Sequence, residues 1–176
     1  MELVLPSVEY KNSFIEAIEE YKASADDVTT RRYRELSISE LKADFGLFVE
    51  RECSHARGEN LPHGYVPQSE FWLVDGGEYI GHLSIRHRLN EHLLAIGGHI
   101  GYDIRPGKRG RGYGKKILAL ALQKAKELSI DRVLLACDVT NEPSRKIIEG
   151  NGGVLENRVP NLETGVDKSR FWIGVG

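Results

Sequence analysis

The sequence predicts a protein of the α+β class. Segments of strand type and of amphipathic helix type alternate along the chain, with no repeats or low-complexity linkers between them. Near the middle, a strand-like segment runs into a basic, glycine-rich turn and then into a helical pattern. A chain of 176 residues with 40% hydrophobic content is large enough to bury one core. We therefore expect a single domain over residues 1–176.

The first third of the sequence predicts a short strand, two helical segments and a loop. Residues 3–5 are of strand type, and apolar side chains recur at helical spacing between charges over residues 8–22. A second helical segment begins at Ser39 and extends to about residue 53. Glycine, proline and polar residues over 55–68 are typical of a loop, so the predicted helices precede the main strands.

A β-hairpin and a strand–turn–helix unit follow this loop. Residues 71–74 and 79–87 predict the two strands of the hairpin, and residues 92–104 predict the next strand. Apolar residues return at helical spacing after Gly114. The remaining predicted elements are a buried strand over 132–138, a short helix over 142–149, and closing strands over 154–158 and 170–175.

Composition excludes several classes of partner. The net charge is −2, from 24 basic and 26 acidic residues, which gives no overall attraction to nucleic acid or to an anionic membrane. Two cysteines form no disulfide framework, so the chain fits a reducing compartment. No apolar run approaches the roughly 20 residues that cross a bilayer, and the first residues do not resemble a signal peptide. We expect a cytoplasmic protein without membrane or nucleic-acid partners.

The basic turn has the physical properties of an anion cradle. Glycines at 110, 112 and 114 allow backbone N–H groups to approach a ligand without Cβ atoms in the way. The predicted helix begins at the same place, where free amides and the helix dipole favour anions. Lys108, Arg109 and Arg111 add positive charge. The turn therefore predicts a phosphate or pyrophosphate site.

Two common phosphate-binding motifs do not match this turn. A Walker A loop requires Ser or Thr after its lysine, whereas Gly114-Lys115 is followed by Lys116. A dinucleotide fingerprint requires its third glycine three positions after its second, whereas Gly112 is followed by glycine two positions later. Both motifs fail on spacing.

A third motif does match. Arg109-x-x-Gly112-x-Gly114 resembles the Arg/Gln-x-x-Gly-x-Gly/Ala signature of the GNAT superfamily, the acyl-CoA-dependent N-acyltransferases. The segment from Gly101 to Pro106 resembles the fourth strand of that family, especially in members that modify protein N-termini. Asn141-x-x-Ser144 resembles its second motif. The resemblance is strong over residues 70–176 and weak over the first 69 residues.

The resemblance implies a GNAT-like α/β fold, with a mixed, mostly antiparallel sheet flanked by helices on both sides. Its fourth and fifth strands would splay apart to form a wedge for the acyl-pantetheine arm. The implied cofactor is acetyl-CoA, with CoA as product. The residues implied to bind it are Ile104, Arg105, Arg109, Gly110, Arg111, Gly112, Tyr113, Gly114, Asn141 and Ser144.

The implied reaction is direct attack of an amine on the thioester in a ternary complex, without an acyl-enzyme. His99 is the candidate base, directly or through water, because an ordinary histidine pKa near 6.5 suits neutral pH. The alternative is a strand histidine with a structural hydrogen bond. Many family members place a Tyr as general acid where this chain has Ile148. Ser144 and Tyr102 are the alternative proton donors. The predicted catalytic residues are thus His99 and Ser144.

Several alternatives stay open at this stage. Because the usual Tyr is missing, a non-catalytic acyl-CoA-binding regulatory module is the main alternative to an enzyme. The basic turn could also contact RNA, although no aromatic stacking platform accompanies it. His82, His87 and His92 follow no common zinc spacing, so we expect no metal site. The acceptor is a peptide or small-molecule amine, and because the family is often dimeric a homodimer is possible.

Overall fold

Strands and helices alternate as the sequence predicts in the computed structural model, which describes residues 1–24 and 33–176. The described strands are β1 (Glu2–Val4), β2 (Gln68–Asp75), β3 (Glu78–Arg86), β4 (Ile100–Ile104), β5 (Arg132–Asp138), β6 (Val154–Val159) and β7 (Lys168–Gly174). The described α-helices are α1 (Lys11–Ala23), α2 (Ile38–Ala43), α3 (Phe45–Ser54), α4 (Tyr113–Glu127) and α5 (Glu142–Glu149).

The strands form two antiparallel sheets that meet at a single bridge. One sheet has the order β1-β2-β3-β4, and the other has the order β5-β7-β6. Gly98 and Leu135 form the bridge, next to a 2.7 Å hydrogen bond from the His99 N–H to the Leu134 carbonyl. Gly98 has a φ of +72°, and an added Cβ would lie 2.5 Å from that carbonyl oxygen, so this close approach requires glycine. Beyond the bridge β4 and β5 share no register, which confirms the predicted wedge.

Helices cover both faces of the four-stranded sheet, again as predicted. On one face, aliphatic side chains of β2–β4 pack against α4, with Leu83, Ile104 and Leu118 buried in the same cluster. On the other face, α1, α2 and α3 pack on an aromatic cluster. Trp72 lies at its centre, stacked on Phe14 at a centroid distance of 4.8 Å. Burial of such large aromatic surfaces is a major source of stability.

Two predicted elements differ from the structure. The helix predicted over residues 39–53 is divided at Asp44, whose Oδ1 accepts the Leu47 N–H at 2.9 Å and begins α3. The strand predicted over residues 92–104 is wrong in its first half, where Leu93–Gly97 forms a π-helical turn. Asn90 starts this turn, because its Oδ1 accepts the Leu93 N–H at 2.9 Å.

Candidate functional site

The basic turn presents backbone amides at the start of α4. Gly110 and Gly112 have φ values of +74° and +83°, conformations that favour glycine. The Lys116 N–H bonds to the Gly112 carbonyl, so the amides of the first turn, from Tyr113 onward, precede the first intrahelical bond. These N–H groups and the helix dipole favour an anion at this end of α4.

Arg105 fixes the position of the turn through contacts with Glu20 of α1. Its guanidinium is buried and donates to Glu20 at 2.5 Å, to Glu78 at 3.1 Å and to the Tyr79 carbonyl at 3.2 Å. The second carboxylate oxygen of Glu20 accepts the Gly107 N–H at 2.9 Å. Helix α1 is thereby tied to β3 and to the turn.

These contacts change the acidity of Glu20. Partial burial alone would raise the pKa of Glu20, but the bonds from Arg105 and from the Gly107 N–H outweigh it and lower that pKa. Glu20 therefore stays ionised and holds the turn over the neutral pH range.

Two further cations lie on the turn. The Nζ of Lys108 pairs with Glu78 at 2.5 Å, so part of its charge is already neutralised. The Nε of Arg109 donates to the Ile104 carbonyl at 3.0 Å, across the end of β4. Arg109 thus stands between the open edge of β4 and the amides of the turn.

A cleft of about 410 Å³ follows the gap between β4 and the amino ends of α4 and α5. Its lining consists of Tyr102, Asp103, Ile104, Lys108, Arg109, Gly110, Tyr113, Gly114, Asn141, Pro143, Ser144 and Ile147. A second cavity of about 210 Å³ extends from the same gap towards the bridge between the sheets, and shares Tyr102, Asn141 and Ser144 with the cleft. The gap is therefore accessible along most of its length. A cavity of about 450 Å³ on α2 and α3 lies apart from it and lacks the glycine turn.

Seven of the predicted cofactor-binding residues line this cleft: Ile104, Arg109, Gly110, Tyr113, Gly114, Asn141 and Ser144. Arg111 and Gly112 are not in the lining. Arg105 also lies outside it, and its N–H already donates to the Ile80 carbonyl at 2.9 Å. The surroundings of Arg105 indicate a structural role, and cofactor binding by all ten residues stays a prediction.

A hydroxyl pair lies where the cleft and the smaller cavity meet. The Tyr102 hydroxyl and Ser144 Oγ are 3.1 Å apart, and Asn141 holds this end of α5 because its Oδ1 accepts the Ser144 N–H at 3.0 Å. Burial raises the pKa of Tyr102 to about 12, so its hydroxyl keeps its proton at every physiological pH. Ile148 is buried in the core, where it offers no such group.

His99 lies beside the bridge rather than in the cleft. Its Nδ1 accepts the Leu134 N–H at 2.9 Å, and its ring packs 6.4 Å from that of Trp172. With Nδ1 occupied in this way, the neutral ring carries its proton on Nε2. Burial, assisted by the charge of Arg86, lowers the pKa of His99. These contacts clamp the two sheets together, and the role of His99 as base stays a prediction.

Asp103 borders the cleft and was not among the predicted site residues. Its carboxylate accepts hydrogen bonds from Tyr21 and, at 2.6 Å, from Tyr33, and its side chain is 12% exposed. The alternation of β4 places Asp103 on the opposite face from Tyr102. Nothing in the sequence indicates that two tyrosines from distant segments converge on it.

The three histidines of the sequence pattern have different partners, and the absence of a metal site stays a prediction. His82 contacts Glu70, His87 contacts Ser69 and the exposed His92 contacts Glu163. They share no common centre within the described residues.

Comparison with known families identifies the class. A family model described as "Acetyltransferase (GNAT) domain" matches residues 17–154. The chain therefore belongs to the GNAT acetyltransferase family, which confirms the resemblance and the predicted fold. No curated protein matches the chain. Within the described residues, no helix is both long and apolar enough to traverse a bilayer.

Solved structures share the fold at low identity. A microcin self immunity acetyltransferase, MccE, in complex with acetyl-CoA and AMP is 17% identical with a TM-score of 0.69, and the match covers 98% of this chain and 91% of MccE. An acetyltransferase from Salmonella typhimurium that modifies the N-terminal serine of a 50S ribosomal subunit protein is 18% identical, with a TM-score of 0.68 and coverage of 99% and 94%. A chimera of the Vibrio cholerae spermidine N-acetyltransferase SpeG and hSSAT is also 18% identical, with a TM-score of 0.63 and coverage of 99% and 97%.

Replacement of Arg105 tests its role as the anchor of the turn. We expect Arg105→Met to lower the free energy of unfolding by roughly 2–3 kcal/mol. This loss is smaller than that expected on breaking a fully buried ion pair, because both carboxylates that contact Arg105 are partly exposed. Glu20 contributes stability above the ordinary glutamate pKa, and this contribution is lost as pH falls through its lowered pKa. The deficit of the variant should therefore shrink below pH ~4. Urea unfolding at several pH values measures this deficit, with Lys124→Met, which removes a partly exposed ion pair with Glu127, as control. An equal deficit at all pH values would contradict this role.

Proposed function

We propose that this chain transfers an acetyl group from acetyl-CoA to a primary amine by direct attack in a ternary complex. The observation that carries the proposal is the cleft between β4 and α5, which has the amides of the glycine turn at one end and the Tyr102–Ser144 pair at the other. MccE, which shares this fold, was solved with acetyl-CoA. When bound, acetyl-CoA supplies an activated acyl group on a thiol leaving group.

The turn provides the binding half of the site. The amides at the start of α4 and the side chain of Arg109 would hold the pyrophosphate, because both favour negative charge at the same place. The pantetheine amides require backbone partners along β4. The Ile104 carbonyl is one such partner, provided that Arg109 turns from it towards the phosphates. Asn141 and Ser144 close the opposite side of the cleft.

Proton transfer is the second requirement. The sulfur must leave as thiol or thiolate, and the amine must lose protons before and after attack. We assign the Tyr102 hydroxyl, hydrogen-bonded to Ser144, as the donor to the sulfur in place of the missing tyrosine at Ile148. Its raised pKa supports a donor rather than a base. Asp103 is a second candidate for the base. It lies in the lining of the cleft, whereas His99 does not.

The acceptor is a peptide or small-molecule amine. The similar structures include an enzyme that modifies a protein N-terminal serine and one named for spermidine, so fold likeness supports both classes. A homodimer stays a prediction.

Ligand binding tests the cofactor assignment first. Acetyl-CoA and CoA at about 100 times their Kd should stabilise the protein by roughly 2.7 kcal/mol and raise Tm by several degrees, whereas ATP and NAD should not. Arg109→Ala should weaken acetyl-CoA binding, and the exposed Arg57→Ala should leave it unchanged. Absence of a shift with either CoA species would refute the proposal. A shift without turnover of any amine would support the non-catalytic alternative, and a gel shift with RNA in place of a CoA shift would support the RNA alternative.

Removal of the Tyr102 hydroxyl tests the proton donor. We expect Tyr102→Phe to lower kcat by about 10²-fold, the lower end of general acid–base contributions, with little change in acetyl-CoA affinity. Because the pKa of Tyr102 is about 12, the wild-type rate should not fall between pH 8 and pH 10 through loss of this proton. Steady-state thiol release measures both. Equal kcat in Tyr102→Phe and wild type would remove this hydroxyl from the mechanism.

The base is tested by two variants side by side. If Asp103 accepts the proton, Asp103→Asn should lower kcat near neutral pH by about 10²-fold or more, and the deficit should narrow at alkaline pH where the free amine is abundant. If His99 is the base, His99→Ala should show that pattern instead. The comparison is kcat against pH for both variants, with acetyl-CoA affinity measured separately. A pH-independent loss in both would exclude both as bases.

A further inference from the structure

A chain of buried ionisable side chains leads from the cleft into the interior. Asp103 lies beside His82, His82 bonds to Glu70, and Glu70 bonds to His55. The contacts are 3.7 Å from Asp103 Oδ2 to His82 Nδ1, 2.6 Å from His82 Nε2 to Glu70 Oε2, and 3.2 Å from Glu70 Oε1 to His55 Nδ1. The chain crosses β4, β3 and β2 on the face that carries the aromatic cluster.

Burial is greatest in the middle of this chain. The side chain of Glu70 is 0% exposed and that of His82 is 6% exposed, whereas Asp103 is 12% exposed at the cleft end. Buried carboxylates are costly unless they are paired and hydrogen-bonded. Glu70 meets this condition fully, because Gln68 Nε2 also donates to it at 2.5 Å.

His82 stands between two carboxylates, with one ring nitrogen facing each. A carboxylate beside each nitrogen favours a proton on each, and thus the cationic ring. A cationic ring next to Asp103 attracts its carboxylate across the 3.7 Å contact and so fixes the orientation of that side chain. Other titratable groups that face this pair are Glu52 of α3, His55, Tyr21 of α1 and Tyr33, and Arg109 acts on Tyr21 through space.

We propose that His82 and Glu70 are positioning residues that orient the Asp103 carboxylate to accept the proton of the acceptor ammonium. This inference rests on the proposed acetyl transfer. One proton passes from the ammonium to Asp103, the N–C bond forms as the C–S bond breaks, the nitrogen releases a second proton, and the sulfur takes one from Tyr102. With Tyr102 reprotonated, one proton in net passes to solvent.

The same donors do not favour a metal ion. Atoms of Glu52, Glu70 and His82 lie within 4.8 Å of one another. However, the Glu70 oxygens already accept from three side chains, and the His82 contact of 2.6 Å is a hydrogen-bond distance. We therefore interpret these side chains as a hydrogen-bonded network rather than as metal ligands.

The experiment compares Glu70→Gln and His82→Asn with His92→Asn, an exposed histidine that also faces a glutamate. Turnover is measured against pH with acetyl-CoA and the best amine found. Loss of either contact should lower kcat at pH 7 at least tenfold with acetyl-CoA affinity unchanged, and this deficit should narrow at alkaline pH, where the free amine is abundant. His92→Asn should match wild type. An unchanged kcat in Glu70→Gln and His82→Asn, or a loss of the same size at every pH, would overturn the proposal.

A second measurement is independent of turnover. The ¹⁵N shifts of the His82 ring at pH 7 should show both nitrogens protonated in wild type and one protonated in Glu70→Gln. A neutral ring in wild type would overturn the proposal even if the enzyme is active. If no amine is turned over, the proposed function fails on that result alone, and the ring charge still decides whether the pair is built as inferred. Retention of one zinc per chain, lost to EDTA together with activity, would also overturn it.

Discussion

The separation of β4 from β5 is the constraint on which the site depends. Strands that pair satisfy each other's backbone groups, and strands that diverge leave them for another partner. Here the two sheets pair at Gly98 and Leu135 and then separate, while the His99 ring holds the bridge closed through the Leu134 N–H. The opened edge of β4 becomes useful because it ends at the glycine turn, where further amides point outwards. One break in strand pairing thus places the open edge of β4 next to the anion-favouring amides of the turn.

The two faces of the four-stranded sheet differ in composition and in what they support. The face against α4 is aliphatic, and it gives the turn and the amino end of that helix a rigid support. The opposite face combines a dense aromatic cluster with a row of buried polar side chains that includes Glu70 and His82. Replacement of buried charges by apolar residues is often neutral or stabilising, so their presence is weak evidence for stability. Their proximity to Asp103 makes a role in proton transfer the better explanation.

The parts of the site that follow from local sequence could be predicted. The glycine turn, the start of α4 and the Asn141 cap of α5 each depend on neighbours within a few residues, and spacing alone reveals them. The ion pair of Arg105 with Glu20, 85 positions away, could not be predicted, because no local pattern reports that contact. The contacts of Tyr21 and Tyr33 with Asp103 could not be predicted either, because both tyrosines are distant from Asp103 in the sequence.

These long-range contacts share an origin early in the chain. Tyr21 and Tyr33, which contact Asp103, and Glu52 and His55, which lie beside Glu70, come from the first third of the chain. The family model matches from residue 17 onward, but the motifs that the sequence revealed lie between Gly101 and Ser144. The cofactor half of the site is built from those motifs, whereas the surroundings of Asp103 are built partly from the first helices. The similar solved structures, at 17–18% identity, share the fold with this chain, and the contacts that its first helices make around Asp103 are a feature that fold likeness alone does not report.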